Sequence, residues 1–276
     1  MTAPAQATDV PVLEARNVSK VYRGRQGSLF GRRGEVHALT GVSLEVQRGE
    51  SLGIVGESGS GKSTLARLLL ALEQPTAGEI RFEGTVVSGR PERELGALRR
   101  SVQVVFQDPM SSLDPRMRTR VAISEPLRAL RIPGDHKARV LELLDAVGLP
   151  RDAADKVPHE FSGGQRQRIA IARALAPGPE VLLADEAVSA LDVSVRAQVL
   201  NLLNRLIDEF GLTLVFISHD LSVIRWMCTR VVVLYRGEIV ESGPTEQLYD
   251  DPQHPYTRAL LAAVPRIGKP IGRARS

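Results

Sequence analysis

The sequence predicts an α/β fold in which helices cover a largely parallel β-sheet. Short apolar runs typical of buried strands occur at SLGIVG (51–56), EVLLAD (180–185) and LTLVFIS (212–218). Between the last two runs, apolar residues from Val195 to Phe210 recur on one face of a helix that Gly211 closes. A strand, a helix and a second strand in succession indicate parallel strands joined by crossover helices.

The other elements follow from local patterns. LEARNVSKVY (13–22) and EVHALTGVSLEVQRGE (35–50) predict strands broken by turns, and the Gly- and Arg-rich segment RGRQGSLFGRRGE connects them as a loop. TLARLLLAL (64–72) predicts a helix after the SLGIVG strand, and HKARVLELLDAVGL (136–149) predicts another in the middle of the chain. Residues 1–10 and 266–276 are predicted to be flexible tails.

Composition is that of an ordinary globular protein. The chain has 276 residues, of which 43% are hydrophobic and 25% charged, which suits one domain with a substantial core. Its net charge of +4 is compatible with nucleic acid, an anionic membrane or phosphate ligands, and distinguishes none of them. We expect no secretory signal, and no stretch approaches the roughly 18 to 20 apolar residues that span a bilayer.

The single cysteine limits the chemistry. With Cys228 alone, the chain forms no internal disulfide, no multi-cysteine zinc site and no four-cysteine iron–sulfur cluster. A reducing compartment fits this usage best.

The segment GESGSGKST (56–64) matches the phosphate-loop pattern G-x-x-x-x-G-K-S/T between a predicted strand and a predicted helix. Its glycines let backbone N–H groups face a phosphate, the helix N-terminus adds positive potential, Lys62 adds a charge and Ser63 can bind Mg²⁺. The alternative is a flexible Gly/Ser turn, and the flanking elements favour phosphate binding. The predicted nucleotide-binding residues here are Gly56, Glu57, Ser58, Gly59, Ser60, Gly61, Lys62, Ser63 and Thr64.

Two adjacent carboxylates end the apolar run at 180–185. A phosphate loop needs a second metal contact and a group that orients water, usually an acidic residue at the end of a buried strand. We therefore predict that Asp185 belongs to the Mg²⁺ shell and that Glu186 is the general base. Without the phosphate loop, a solvated turn would be the better interpretation.

The stretch FSGGQRQRIAIARAL (161–175) resembles the signature sequence of ATP-binding cassette (ABC) ATPases. Ser162 can cap the helix that follows it, and two glycines leave backbone N–H groups bare for an anion. Other motifs of the family match in order from about Leu13 to Pro265. The resemblance implies a P-loop NTPase (RecA-like) core at 11–249, with an antiparallel β subdomain and an α-helical signature subdomain at about 108–176.

The resemblance also assigns roles to single residues. Tyr22 would stack on adenine, Gln107 would contact the metal and sense a membrane partner, and His219 would contact the γ-phosphate. A lone His or Gln is more often structural or a surface residue, and the order of the whole set favours the functional roles. The family commonly has proline where this chain has Ala187; because no charged group is lost, we expect activity to survive.

The family pattern implies two cassettes facing head to tail, each completing the other's ATP site. The residues that would serve the partner's ATP or cross between subunits are Ser162, Gly163, Gly164 and Gln165 of the signature, and Ser189, Ala190, Leu191 and Asp192 of the following loop.

Three segments resemble a subfamily of ABC importers for peptides and nickel. They are DPMSSLDPRMRTRVAISEPLRAL after Gln107, DDPQHPYTRALLAAVP at 250–265, and QGSLFGRRGEVHAL, which resembles the second ATPase subunit of dipeptide and oligopeptide systems. The resemblance implies a peripheral subunit on the cytoplasmic face of the membrane that hydrolyses ATP to drive peptide import. Its partners would be a second ATPase subunit, paralogous or identical, two transmembrane permease subunits and, indirectly, an extracytoplasmic substrate-binding protein. Its cofactors would be ATP and Mg²⁺, and no iron–sulfur cluster is expected. No nucleic-acid partner is expected either.

Several alternatives stay open at this stage. One is a nickel or glutathione importer of the same subfamily. A soluble ABC protein acting on ribosomes or DNA would typically carry two cassettes or a long coiled-coil insertion, and neither is visible in this sequence. A degenerate cassette that binds ATP without turnover is weakened by the presence of Glu186 and His219. The apolar face of the predicted helix TRALLAAV (257–264) could cover either its own domain or a partner.

Overall fold

The computed structural model describes residues 10–23, 34–107 and 113–263, and its strands form two sheets. The strands are β1 (Leu13–Arg23), β2 (Glu35–Val46), β3 (Ser51–Val55), β4 (Ala77–Phe82), β5 (Thr85–Val86), β6 (Val102–Val105), β7 (Val181–Asp185), β8 (Thr213–Ser218), β9 (Arg230–Tyr235) and β10 (Glu238–Pro244).

The helices of the described ranges connect and cover these strands. They are α1 (Lys62–Leu69), α2 (Gly96–Ser101), α3 (Thr119–Ala129), α4 (His136–Ala146), α5 (Gly163–Leu175), α6 (Val193–Phe210), α7 (Leu221–Met227), α8 (Thr245–Asp250) and α9 (Pro255–Ala262). Short 3₁₀ turns occur at Glu92–Glu94, Arg151–Asp155 and Pro158–Glu160.

The larger sheet has the strand order β10-β9-β3-β8-β7-β6. All pairs from β9 to β6 are parallel, and β10 is an antiparallel edge strand on β9. Every residue of β8 is buried, as expected for a central strand covered by helices on both faces. The predicted parallel α/β core is thus confirmed.

The smaller sheet has the order β2-β1-β4-β5 and is antiparallel. Leu13 in β1 pairs with Val46 on one side and with Phe82 on the other. These side chains share a buried cluster with Leu65 of α1 and Leu183 of β7. The antiparallel sheet therefore covers α1 and one face of the larger sheet. Residues 24–33 of the predicted connecting loop lie outside the described ranges.

Helices α3, α4 and α5 pack together beside the carboxyl end of β6. Leu127, Leu143 and Ile171, one from each helix, are buried in the same apolar cluster. Asp135 caps α4 by accepting hydrogen bonds from the N–H groups of Lys137 and Ala138, which stabilises the start of that helix. This arrangement corresponds to the expected helical subdomain; residues 108–112 lie outside the described ranges.

The C-terminal helix α9 begins two residues earlier than TRALLAAV predicts. Pro255 is its first residue, because its fixed φ and missing N–H suit the first turn, and His254 Nδ1 accepts the Tyr256 N–H at 3.2 Å. Tyr256 and Leu260 pack against the larger core. The helix therefore covers its own domain, the first of the two open possibilities. The tails predicted at 1–10 and 266–276 lie, apart from Val10, outside the described residues.

We expect Phe216→Ala to lower the free energy of unfolding by about 3–5 kcal/mol, since Phe216 is fully buried in β8 and its truncation leaves a cavity. Urea titration followed by circular dichroism measures this. Val193→Ala, at a position 81% exposed, is the matched control and should change stability by less than about 0.5 kcal/mol. A loss below about 1 kcal/mol for Phe216→Ala would contradict this packing.

Candidate functional site

One group of the predicted site residues lies at one edge of the larger sheet. Val55 at the end of β3 pairs with Ser218 at the end of β8, and Asp185 at the end of β7 pairs with Ile217. Because the carboxyl ends of parallel strands share an edge, the segments that follow these strands lie side by side. This edge carries the phosphate loop, the carboxylate pair and His219.

The phosphate loop is closed by its own lysine. The Lys62 ammonium donates hydrogen bonds to the carbonyl oxygens of Gly56, at 2.7 Å, and Glu57, at 2.8 Å. Gly56 has φ 155°, and a Cβ there would lie 2.2 Å from the Leu234 carbonyl oxygen, so only glycine fits. Helix α1 starts at Lys62, which directs its positive N-terminal end toward the loop.

Electrostatics of the site centre on this buried cation. Lys62 is only 6% exposed, and burial lowers the pKa of its ammonium group, while the carboxylates of Glu186, Asp185 and Glu57 act in the opposite direction. A charge that has lost most of its water requires oxygen partners, which are here the loop carbonyls and would equally be phosphate oxygens.

The pKa of the Asp185 carboxyl group is shifted in the direction opposite to that of Lys62. Burial raises the pKa of its carboxyl group, the charge of Glu186 raises it further, and a hydrogen bond from the Ser63 hydroxyl lowers it. One of its oxygens, Oδ1, is buried without a hydrogen-bond partner. An unpartnered buried carboxylate oxygen beside a hydroxyl fits a hard divalent cation that would supply the missing partner.

Glu186 and His219 form the second half of the site. His219 Nδ1 lies 3.2 Å from Glu186 Oε1. Glu186 has a left-handed backbone, φ 49°, held because its N–H donates to the Ile217 carbonyl at 2.9 Å and its own carbonyl accepts from the Ser189 hydroxyl at 2.9 Å. The carboxylate is thus fixed at the strand end, and Ala187 after it is buried.

The signature segment forms a capping box at the start of α5. Ser162 Oγ accepts the Gln165 N–H at 3.3 Å, and the Ser162 N–H donates to Gln165 Oε1 at 2.9 Å. A Cβ on Gly164 would lie 2.4 Å from a methyl group of Val195, so the glycine lets α5 approach α6. Within the described part of the chain, no hydrogen bond joins residues 162–165 to the phosphate loop.

Tyr22 and Gln107 occupy the rim of the site. The Tyr22 hydroxyl donates to Glu73 Oε2 at 2.6 Å, and Lys20 Nζ lies 5.1 Å from the centre of its ring. Burial and the Glu73 carboxylate raise the Tyr22 pKa, and Thr64 of the phosphate loop is close enough to oppose that shift. Gln107 is exposed and lies two residues after the end of β6, the strand that pairs with β7.

Two contacts at the site were not anticipated from the sequence. Arg196 on α6 reaches the Leu191 carbonyl at 3.2 Å and Asp220 Oδ2 at 3.5 Å, which links the 189–192 loop to the segment after His219. The Tyr256 hydroxyl accepts the Glu57 N–H at 3.0 Å, which links α9 to the phosphate loop. The sequence carries no local signal for either pairing, although HPYT at 254–257 is conspicuous as a motif.

Two features are absent from the described ranges. None of their helices combines the length and apolar character needed to cross a bilayer. They also hold no cluster of three or more His, Cys, Asp or Glu side chains arranged to bind a metal ion. A site with one or two carboxylates plus substrate phosphates, which is the usual Mg²⁺ arrangement, needs no such cluster.

Comparison with known proteins connects this geometry to a family. Residues 39–189 match the family model described as ABC transporter, and residues 240–276 match the one described as oligopeptide/dipeptide transporter, C-terminal region. The chain resembles the ATP-binding cassette MJ0796, solved as a post-hydrolysis dimer bound to ADP and Pi, with a TM-score of 0.74 and 32% identity over 84% of this chain and 98% of that one.

Curated relatives indicate which members of the family the chain is similar to. The chain is 48% identical over 269 residues to the dipeptide transport ATP-binding protein DppF of Haemophilus influenzae, covering 97% of this chain and 82% of that protein. It is 50% identical over 268 residues to the oligopeptide transport ATP-binding protein AppF of Bacillus subtilis, covering 96% and 80%. It is also 53% identical over 257 residues to the glutathione import ATP-binding protein GsiA of Escherichia coli, covering 92% of this chain and 41% of that longer protein. This chain therefore belongs to the ABC transporter family, as an ATPase subunit with a C-terminal region of the oligopeptide/dipeptide transporter type.

Proposed function

We propose that this chain binds and hydrolyses ATP at the edge described above in order to drive the import of peptides through a separate membrane permease. The observation that carries the proposal is the convergence of Lys62, Asp185, Glu186 and His219 at the carboxyl ends of β3, β7 and β8. A buried ammonium faces two carboxylates and a histidine beside a helix N-terminus, which suits a bound polyphosphate and an attacking water.

Nucleotide binding exchanges one set of oxygen partners for another. The Lys62 ammonium now contacts two loop carbonyls, and in the complex it contacts phosphate oxygens in their place. The backbone N–H groups of residues 59–64 surround the phosphates, and Tyr22 stacks on the base at the rim. Because Tyr22 is held by Glu73, its ring is already oriented before the nucleotide arrives.

Three residues would hold Mg²⁺ with the nucleotide: Ser63, Asp185 and Gln107. The unpartnered Oδ1 atom of Asp185 and the neighbouring Ser63 hydroxyl fit this role. When bound, the ion neutralises charge on the phosphates. Gln107 is the most exposed of the three.

Glu186 acts on the attacking water. Its carboxylate polarises the water and accepts its proton as the oxygen bonds to the γ-phosphorus, while the bond from that phosphorus to the β,γ-bridging oxygen breaks to leave ADP and phosphate. His219, 3.2 Å from Glu186, contacts the γ-phosphate and holds the carboxylate in position. Lys62 stabilises the charge on the transferring group.

The site is completed by a second cassette. Ser162–Gln165 and the 189–192 loop serve the ATP of the partner, since inside one chain the signature contacts α6 and not its own phosphate loop. Arg196 ties the loop to Asp220, directly after His219, so that dimer contact and catalytic geometry are linked. We propose a dimer of paralogous or identical cassettes.

Docking on the permease uses the groove between β6, α3 and α5. The groove is a cavity of about 180 Å³ beside Gln107, lined by Phe106, Pro126, Ala170 and Arg173 among others. Phe106 is 39% exposed there, an uncommon position for a large aromatic side chain. We propose that a cytoplasmic helix of the permease docks at this groove, with the chain on the cytoplasmic face of the membrane and a substrate-binding protein on the other side.

Lys62→Ala should weaken ATP binding by at least about tenfold, because it removes a charge-assisted contact to the phosphates. Isothermal titration with ATP measures this affinity. The exposed Lys137→Ala on α4 is the control and should bind ATP like the wild type. Equal affinity in Lys62→Ala would place the nucleotide elsewhere.

Glu186→Gln should retain ATP binding and lose about 10²–10⁴-fold in turnover, since the amide cannot accept the proton of the water. Steady-state phosphate release by the assembled transporter measures turnover, and size-exclusion chromatography with ATP should show a longer-lived dimer. Glu209→Gln on the exposed face of α6 is the control. Unchanged turnover in Glu186→Gln would contradict the assignment of the base.

Detergent extraction of membranes with the tagged chain should co-purify two multi-spanning proteins and a second cassette, with ATPase activity stimulated by a substrate-binding protein loaded with peptide. Phe106→Ala should reduce recovery of the multi-spanning proteins, and Trp226→Ala, exposed outside the groove, should not. Stimulation by glutathione or nickel alone would reassign the cargo. Recovery with ribosomes or nucleic acid would overturn transport and leave the ATP chemistry intact.

A further inference from the structure

The C-terminal helix α9 reaches the phosphate loop through a single hydroxyl. Tyr256, in the first turn of α9, accepts the Glu57 N–H at 3.0 Å, although the two residues are 199 positions apart. On the other side of the same residue, the Glu57 carbonyl accepts from Lys62 Nζ at 2.8 Å. Each of the two peptide groups that flank Glu57 is therefore held by a side chain.

Tyr256 is itself rigidly placed. Its ring lies 4.1 Å, centroid to centroid, from the ring of Tyr235 at an interplanar angle of 31°. Tyr235 ends β9 directly after Leu234, whose carbonyl oxygen faces Gly56. The hydroxyl and the loop thus share one support, the carboxyl end of β9.

The start of α9 is also anchored. The Glu241 carboxylate on β10 accepts the N–H of Gln253 at 2.7 Å and the N–H of His254 at 3.0 Å. His254 then caps the helix at the Tyr256 N–H. A carboxylate, a capping imidazole and a stacked ring together fix the position of one hydroxyl.

We infer that Tyr256 is a positioning residue for the phosphate loop, and that α9 thereby raises nucleotide affinity. The inference rests on the proposed nucleotide site in that loop. A Gly/Ser-rich loop loses much conformational freedom when it closes around phosphate, and a hydroxyl that already holds the Glu57 peptide lowers this cost of ordering. Water can satisfy the Glu57 N–H without Tyr256, but it does not restrain the loop.

The Tyr256 hydroxyl should affect nucleotide binding and not the chemical step. Tyr256 contacts Glu57 at the start of the loop and has no hydrogen bond to Glu186 or His219 in the described structure. The Tyr256 hydroxyl therefore stabilises ground state and transition state alike, which changes KM and leaves kcat unchanged. ATP and ADP should be affected equally, because the γ-phosphate is not involved.

Tyr256→Phe tests the inference, since it removes the hydroxyl and keeps the ring stack. Isothermal titration should show about three- to tenfold weaker affinity for both ATP and ADP, the size expected for one hydrogen bond. The assembled transporter should show KM for ATP raised by the same factor at unchanged kcat. Tyr235→Phe, which removes the other hydroxyl of the stacked pair, is the control and should match the wild type.

The outcomes separate this inference from the function on which it rests. If Lys62→Ala loses affinity while Tyr256→Phe binds like the wild type, the role of Tyr256 is overturned and the nucleotide site stands. If Lys62→Ala binds like the wild type, the nucleotide site and the role of Tyr256 both fall. A reduced kcat at unchanged KM in Tyr256→Phe also overturns the positioning role.

A second variant covers the case in which Tyr256→Phe does not fold, as judged by its melting temperature without nucleotide. Glu241→Ala releases the start of α9 and leaves the Tyr256 hydroxyl in the chain. This variant should lower the affinities for ATP and ADP by the same factor as each other. An affinity equal to that of the wild type would overturn the inference.

Discussion

The burial of one ammonium group is the constraint on which the rest of the site depends. Lys62 is 6% exposed, so its charge must be surrounded by oxygens or its removal from water is too costly to maintain. The loop carbonyls at Gly56 and Glu57 satisfy it in the ligand-free chain. Asp185 and Glu186, at the end of β7, act on the same charge: both carboxylates oppose the lowering of the Lys62 pKa, and Lys62 opposes the raising of the Asp185 pKa. The shape of the phosphate loop and the chemistry at the end of β7 therefore both depend on the charge of Lys62.

The parts of the fold that could be predicted from the sequence are those that depend on local spacing. The phosphate loop, the carboxylates at 185 and 186 and the capped helix after Ser162 each occupy a short window, in which residue type and position define the chemistry. The pairing of parallel strands was inferred from alternation alone, and it holds for β3, β7 and β8. Strand β9 is a short apolar run of the same type, which the prediction did not include, and β10 is a mixed edge strand with a weaker signal.

The contacts that were not predicted all join distant parts of the chain. Arg196 resembles any arginine on an amphipathic helix until the 189–192 loop and Asp220 come within its reach. Tyr256 belongs to a motif that indicates the subfamily, but the pairing of its hydroxyl with Glu57 depends on where α9 packs. The prediction began α9 two residues late because it assigned Pro255 to a turn, although proline also suits the first turn of a helix. The cap at His254, anchored by Glu241, fixes the observed start.

The order of the strands has a consequence for synthesis of the protein. Strand β3 ends in the phosphate loop near residue 56, but its neighbours in the sheet are β8 and β9, and the loop also contacts Tyr256. A ribosome must therefore translate at least to residue 235, where β9 ends, before β3 has both of its partners in the sheet. Folding of this core is delayed by contacts of high sequence separation. A nascent or truncated chain carries the complete phosphate-loop sequence without its supports. The architecture thereby restricts complete assembly of the site to chains that have been translated past Tyr256.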